Sequence, residues 1–233
     1  MAALDAWLLV RHVLGLDATG LILSESDPVP GGKVSDLESL VARRLAGEPV
    51  ARILSVQEFY GLDFRLNPAT LIPRPETEML VDFSIEHLKS HPAPSVADLG
   101  TGTGCILLAV LANLPKASGV SVDISADALD QAQANAEALG LADRFGARHG
   151  SWFEPLGEEK FDLIVSNPPY IASATIETLE PGVKSFDPMA ALDGGPDGLA
   201  PYRIISAQAR AHLVRGGVLA LEIGFDQGHM VNE

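Results

Sequence analysis

The chain has 233 residues, with 16 Lys and Arg against 31 Asp and Glu and a formal net charge of −15 at pH 7, so its surface repels the phosphate backbone that supplies most nucleic-acid affinity. One cysteine, Cys105, excludes an intrachain disulfide framework and a cysteine-based zinc cluster. The six histidines lack metal-binding spacing, and neither a GxSxG elbow nor a GxxxxGKS/T loop is present.

No run approaches the ~18 apolar residues of a membrane span, and the N-terminus lacks a signal-peptide pattern. The expectation is a cytoplasmic protein without metal, built as one α/β domain with a small appendage. Net charge averages over the surface, and the exception to expect is a local basic cleft around Arg43, Arg44, Arg52 or Arg74 that meets an acidic or RNA-containing partner.

Residues up to about Leu54 read as helical. Leu4, Trp7, Leu8 and His12-Val13 give one apolar face, and Leu37, Leu40, Val41 and Leu45 recur at helical spacing. Ser35 with Glu38 predicts a capping box, Gly47 a C-cap, and Asp27 to Gly32 a separating loop. Glu58 to Leu66 sets aromatic and apolar residues around Gly61, as a hairpin does. The prolines of Leu71-Ile72-Pro73-Arg74-Pro75-Glu76-Thr77-Glu78 then stiffen the approach to an amphipathic helix through about Lys89. Apolar runs at Val96 to Leu99, Gly119 to Val122, Phe161 to Val165 and Val218 to Ile223, with a weaker one at Phe145 to Ala147, alternate with helical stretches or a loop. That alternation predicts a parallel sheet covered by helices on both faces.

Asp98-Leu99-Gly100-Thr101-Gly102-Thr103-Gly104 follows the first of these strands and opens a helix, so a ligand can approach its backbone closely. The spacing is GxGxG, and Cys105 stands where a dinucleotide fingerprint has its third glycine. This favours S-adenosylmethionine over NAD: there is no pyrophosphate to bind, and an acid at Asp98 attracts an ammonium and a sulfonium. Asp123, ending the next strand, is expected to accept ribose hydroxyls. Trp152 is expected to wall the adenine, with an ordinary core role as the alternative. Cys105 reads as a packing residue.

Asn167-Pro168-Pro169-Tyr170 ends the run Phe161 to Ser166, where open α/β sheets bind ligands. The prolines fix the backbone and remove donors, leaving the Asn167 amide and Pro168 carbonyl free to grip a substrate NH2. Pro169, Tyr170 and Arg74 are expected to line the substrate side.

Together, Gly47-Glu48-Pro49, EFYGLDF, LIPRPETE, DLGTGTG, GSWF, SNPPYI, ALDGGPDGLAPYR and LEIGFDQ resemble the HemK/PrmC family of release-factor glutamine methyltransferases, from about Gly47 to Gln227. The resemblance implies a class I S-adenosylmethionine-dependent methyltransferase, a Rossmann-like parallel sheet with a small N-terminal helical domain, that modifies the glutamine amide of the GGQ motif in peptide chain release factors. It implies cofactor positions at Gly100 to Gly104, Asp123 and Trp152 and a substrate-amide site at Asn167 to Tyr170.

The expected division is a recognition bundle at 1–54, a hairpin and linker at 55–74, and the methyltransferase domain at 75–233. The family's seven-stranded sheet implies that part of a last helix and two strands are missing here, leaving Val218 to Ile223 as an exposed apolar edge. Two rival readings are methylation of an exocyclic base amine, which the charge and the PRPETE and EFYGLDF blocks oppose, and a non-catalytic binding module. An NAD-linked oxidoreductase leaves Asn167 to Tyr170 unexplained.

Overall fold

The computed structural model describes residues 2–231. Helices α1 (Ala2–Leu14), α2 (Ala18–Leu23), α3 (Gly31–Leu45) and α4 (Val50–Leu54) come first. In α1 the buried residues are Leu9 and Val13, whereas Leu4 is exposed, so the inward face is narrower than the sequence pattern suggests. The Arg44 guanidinium donates to Asp5 at 2.7 Å and ties α3 to α1.

The expected capping box is not formed. Helix α3 starts at Gly31, after Pro30, and Ser35 lies inside it with its hydroxyl donating to the Gly32 carbonyl at 2.9 Å. The reason is that Pro30 presets the backbone just before the first turn, where the N–H groups of Gly31 and Gly32 lack helical partners in any case. At the other end Gly47, at φ +97°, supports a Schellman closure: Glu48 N–H donates to Arg43 O and Gly47 N–H to Arg44 O.

Strands β1 (Val56–Phe59) and β2 (Leu62–Arg65) pair antiparallel as a hairpin. Its two turn residues, Tyr60 and Gly61, both have positive φ, the signature of a type I′ turn. A short 3₁₀ turn at Pro75–Thr77 then leads into α5 (Glu78–Leu88).

The central sheet contains β3 (Ser95–Leu99), β4 (Ser118–Asp123), β5 (Phe145–His149), β6 (Phe161–Ser166) and β7 (Leu213–Leu221). The order is β5-β4-β3-β6-β7 and every pairing is parallel. Between these strands run α6 (Cys105–Asn113), α7 (Ala126–Ala138), the short α8 (Ser173–Ile176) and α9 (Pro181–Lys184), and α10 (Ala200–Ala209). A last turn, α11 (Gly228–Val231), follows β7.

Strand alternation sorts the core into two layers. Val96, Leu163 and Val165 face a cluster with α5, α6, α7 and the hairpin residues Phe59 and Phe64. Ala97, Leu99, Val122 and Ile164 face a second cluster with Phe153, Leu156 and α10 residues Ile205 and Ala209. At the sheet edge, Val218 to Ile223 are only half-buried, while the central strands are fully covered. No helix among the described residues is long and apolar enough to cross a membrane.

Candidate active site

The switch point of the sheet lies between β3 and β6, where the connections turn from the α6 and α7 layer to the α10 layer, and the strand ends there open into a cleft of about 330 Å³. Arg74, Thr77, Gly100 to Thr103, Asp123, Trp152, Asn167 and Pro169 line it, with Pro188, Ala190 and Ala191 on a far wall. Volume and a mostly apolar wall with few polar groups suit a small-molecule ligand.

The glycine loop is pinned from below. Gly100 and Thr101 N–H groups donate to Val122 O at 2.8 and 3.1 Å. The Thr101 hydroxyl donates to Asp98 Oδ2 at 2.6 Å and pairs with the Ser121 hydroxyl at 2.9 Å. Gly102, at φ +54°, sends its N–H to Asp123 Oδ2 at 2.9 Å, while Asp123 Oδ1 accepts from Ser125 N–H. Asn135, buried in α7, donates to Thr103 O and exchanges bonds with the Arg65 backbone, so one side chain joins the loop to the hairpin.

Asp98 is placed differently from the sequence expectation. Its carboxylate is fully buried beneath the loop and does not line the cleft. Burial pushes the carboxyl up to about 7, against hydrogen bonding from Thr101 that lowers it, and Oδ1 has no partner among the described residues. Gly104 also lies back from the cleft, packed on Leu108 and Ala132. Trp152 packs on the second core layer and also lines the cleft, its ring facing Gly100, where a Cβ would sit 3.8 Å away. Its φ of +49° is a strained backbone state for a bulky residue. Cys105 is buried, and its thiol is pushed up to about 12 by that burial, which fits a packing residue.

At the end of β6, Asn167 projects into the cleft with its Nδ2 donating to Thr77 Oγ1 at 3.2 Å. Among the described residues no donor bonds the Pro168 carbonyl. Pro168 itself is buried, Pro169 lines the cleft, and Tyr170 is half-buried outside the lining. Burial raises the Tyr170 hydroxyl, and Glu222 and Glu76 raise it further while Arg74 opposes them.

Asp193 and Gly194, of the ALDGGPDGLAPYR block, and Gln227, of LEIGFDQ, frame this segment. Ile171 bridges to Asp193, and Gly194 packs so closely that a Cβ there would meet Pro169 O and Tyr170 Cα at 2.8 Å. Gln227 Nε2 donates to Tyr170 O at 3.0 Å.

Arg74 does reach the cleft, but its guanidinium is held by Asp187 Oδ2 at 2.9 Å. Asp187 Oδ1 pairs with Arg52 at the same distance. Arg52 also donates to the carbonyls of Asn67 and Thr70. The basic residues thus do not form one cleft: Arg43 pairs with Glu48 and Arg44 with Asp5 on the helical bundle. The sequence reading missed Thr77, Glu222, Asn135, Asp187 and Gln227. All but Asp187 and Asn135 stand within motifs it quoted, and the signal available was that these blocks carry polar residues at fixed places beside apolar runs.

A family profile described as Methyltransferase small domain matches residues 77–180, and one described as PrmC N-terminal domain matches residues 1–54. The release factor glutamine methyltransferase of Agrobacterium fabrum is 48% identical over 227 residues, covering 96% of this chain and 78% of that protein. That of Bradyrhizobium diazoefficiens is 47% identical, covering 99% of this chain and 78% of its own length. A crystal structure of a methyltransferase from Pyrococcus furiosus aligns over 84% of this chain and 83% of its own with a TM-score of 0.53 at 20% identity, which speaks to the class I methyltransferase fold alone. With the identity this high over nearly the whole chain, the chain belongs to the family of release factor glutamine methyltransferases.

Proposed function

We propose that the protein transfers a methyl group from S-adenosylmethionine to the side-chain amide nitrogen of the GGQ glutamine in peptide chain release factors. The observation that carries this is one cleft, lined by a glycine loop and by an Asn167 side chain beside a Pro168 carbonyl that no donor bonds among the described residues.

The residues fit the cofactor. The loop backbone at Gly100 to Thr103 allows close approach, Asp123 keeps acceptor capacity for ribose hydroxyls, and Trp152 offers an aromatic face. Bound there, S-adenosylmethionine supplies an electrophilic methyl on a sulfonium.

An amide nitrogen is a weak nucleophile because its lone pair is delocalised, so the protein's contribution is orientation. Asn167 Oδ1 and the Pro168 carbonyl accept the two N–H bonds of the glutamine and turn its lone pair toward the cleft. The same acceptors stabilise positive charge as it develops on nitrogen, and the nitrogen then loses one proton to water. Tyr170 packs on the substrate side chain and Pro169 closes the wall. Residues 1–54 serve as the recognition bundle, 55–74 as the connecting hairpin and linker, and 75–233 as the catalytic unit. The single, buried Cys105 suits a reducing cytoplasm.

Transfer of labelled methyl to a recombinant release factor tests the reading. Wild type transfers label, and Asn167→Ala loses about two orders of magnitude in kcat while cofactor affinity holds. Full activity in Asn167→Ala removes the role given to that side chain.

A further inference from the structure

The substrate-amide site needs more than an asparagine: it needs that asparagine facing one way. An Asn side chain has an accepting oxygen and a donating nitrogen of nearly the same shape, and only the oxygen toward the cleft can receive an NH2 group. With the nitrogen forward, donor would meet donor.

The register of the sheet brings the fixing groups to this point. Ser166 of β6 is partnered with Leu221 of β7, so the next residues along, Asn167 and Glu222, are neighbours across the strand ends. The Glu222 N–H donates to Ser166 O at 3.0 Å, and its carbonyl accepts from the Tyr202 hydroxyl at 2.9 Å, so the backbone of Glu222 is pinned on both sides. Thr77, buried at the end of the 3₁₀ turn, lies across from both and itself lines the cleft. Its Oγ1 accepts from Asn167 Nδ2 at 3.2 Å. Burial raises the Glu222 carboxyl, and hydrogen bonding from Thr77 and from Asn167 lowers it in part. Its Oε2 has no partner among the described residues.

We infer that Thr77 and Glu222 form a polarity lock that holds the Asn167 amide with nitrogen inward and oxygen toward the cleft, and so select a glutamine amide over a glutamate carboxylate. The carboxylate of Glu222 can only accept, which turns the Thr77 hydroxyl hydrogen toward it and leaves the Thr77 oxygen to accept from Asn167. Both inward partners of Asn167 then take hydrogen from nitrogen, and Oδ1 is the atom left for substrate. Beside the Pro168 carbonyl, the site presents acceptors alone, which attract an NH2 and repel a carboxylate. Thr77 and Glu222 are positioning residues, and the inference rests on the reading of Asn167 given above.

The test compares wild type, Thr77→Val, Thr77→Ser and Glu222→Ala on a release factor and on a copy whose GGQ glutamine is replaced by glutamate, used as a competitive inhibitor. Valine keeps the shape and loses the hydroxyl, so T77V lowers kcat about tenfold or more, and cofactor affinity is unchanged. T77S restores most of the lost turnover. The glutamate copy, a poor inhibitor of wild type, inhibits T77V and E222A more strongly because Asn167 can now turn its nitrogen outward. E222A gives a second route should T77V fold poorly, since it removes a buried carboxylate that lacks a full set of partners.

Wild-type turnover in T77V overturns the lock. So does a loss of turnover with unchanged discrimination between glutamine and glutamate copies, the result of a merely structural role. A wild-type protein that transfers no methyl at all instead overturns the functional reading beneath it.

Discussion

Asp187 joins three parts of the chain, and its removal tests whether that junction holds the cleft wall. Its side chain is 1% exposed and pairs with Arg52, 9% exposed, and Arg74, 35% exposed. Asp187→Ala leaves the Arg52 guanidinium buried without a counter-ion, a change that costs roughly 3–5 kcal/mol when a buried pair is broken from one side. Arg52 keeps the Asn67 and Thr70 carbonyls as acceptors, which places the loss near the lower end, about 3 kcal/mol. The Arg74 pair, a third exposed, adds at most ~1 kcal/mol.

For a chain of this length about 3 kcal/mol lowers Tm by roughly 6–12 °C. Urea unfolding followed by far-UV circular dichroism, with a thermal scan alongside, reads both quantities. Adding Arg52→Met to D187A removes the orphaned charge and should recover part of the loss. A D187A protein within about 1 kcal/mol of wild type, or a double variant no better than D187A, refutes the reasoning. Because Pro188, Ala190 and Ala191 follow directly and line the cleft, weakened cofactor binding should accompany the loss of stability.

Three further outcomes are expected. Burial holds the Asp98 carboxyl up at about 7 in the folded chain; the native state therefore keeps that proton where the unfolded chain has lost it, so its stabilising contribution is present at low pH and lost as pH rises toward and through about 7. Asp98→Asn, measured by urea unfolding without cofactor, should gain on wild type as pH is raised from about 4 to about 8, and a pH-independent difference contradicts the buried-acid assignment. Cys105, its thiol pushed up to about 12, should resist alkylation by iodoacetamide near neutral pH until the protein is unfolded; rapid labelling of native protein contradicts this. Gly194→Ala should lower kcat with cofactor affinity retained, because the new Cβ would press on the Pro169 and Tyr170 backbone at 2.8 Å; unchanged turnover shows that the segment tolerates the displacement.

What the sequence made legible is where the backbone itself is constrained. The Gly100 to Gly104 loop, the Tyr60-Gly61 turn and the proline pair at 168–169 need those residue types for local reasons, so motif and geometry coincide. The five parallel strands were readable as apolar runs, though their ends shift by up to five residues, as at β7, which starts at Leu213 rather than Val218. Illegible were roles created by partners far apart in the chain. Thr77 and Asn167 are 90 residues apart, Asn135 and Arg65 are 70 apart, and Arg52 and Asp187 are 135 apart; no local pattern encodes such meetings. Asp98 misled for a related reason. An acid before a glycine loop looks ligand-facing on paper, but the loop folds over it and Thr101 closes the lid. The Ser35 and Glu38 pair failed because Pro30, five residues before Ser35, had already started the helix at Gly31.

One amide nitrogen is the target of this cleft. The most direct measurement incubates the protein with S-adenosylmethionine and a recombinant release factor, beside a copy whose GGQ glutamine is alanine, and maps added methyl groups by peptide mass spectrometry. A single methyl on the GGQ glutamine of the first protein and none on the second is the expected result. Methyl groups elsewhere on both proteins, or on neither protein while the cofactor still binds, contradict it.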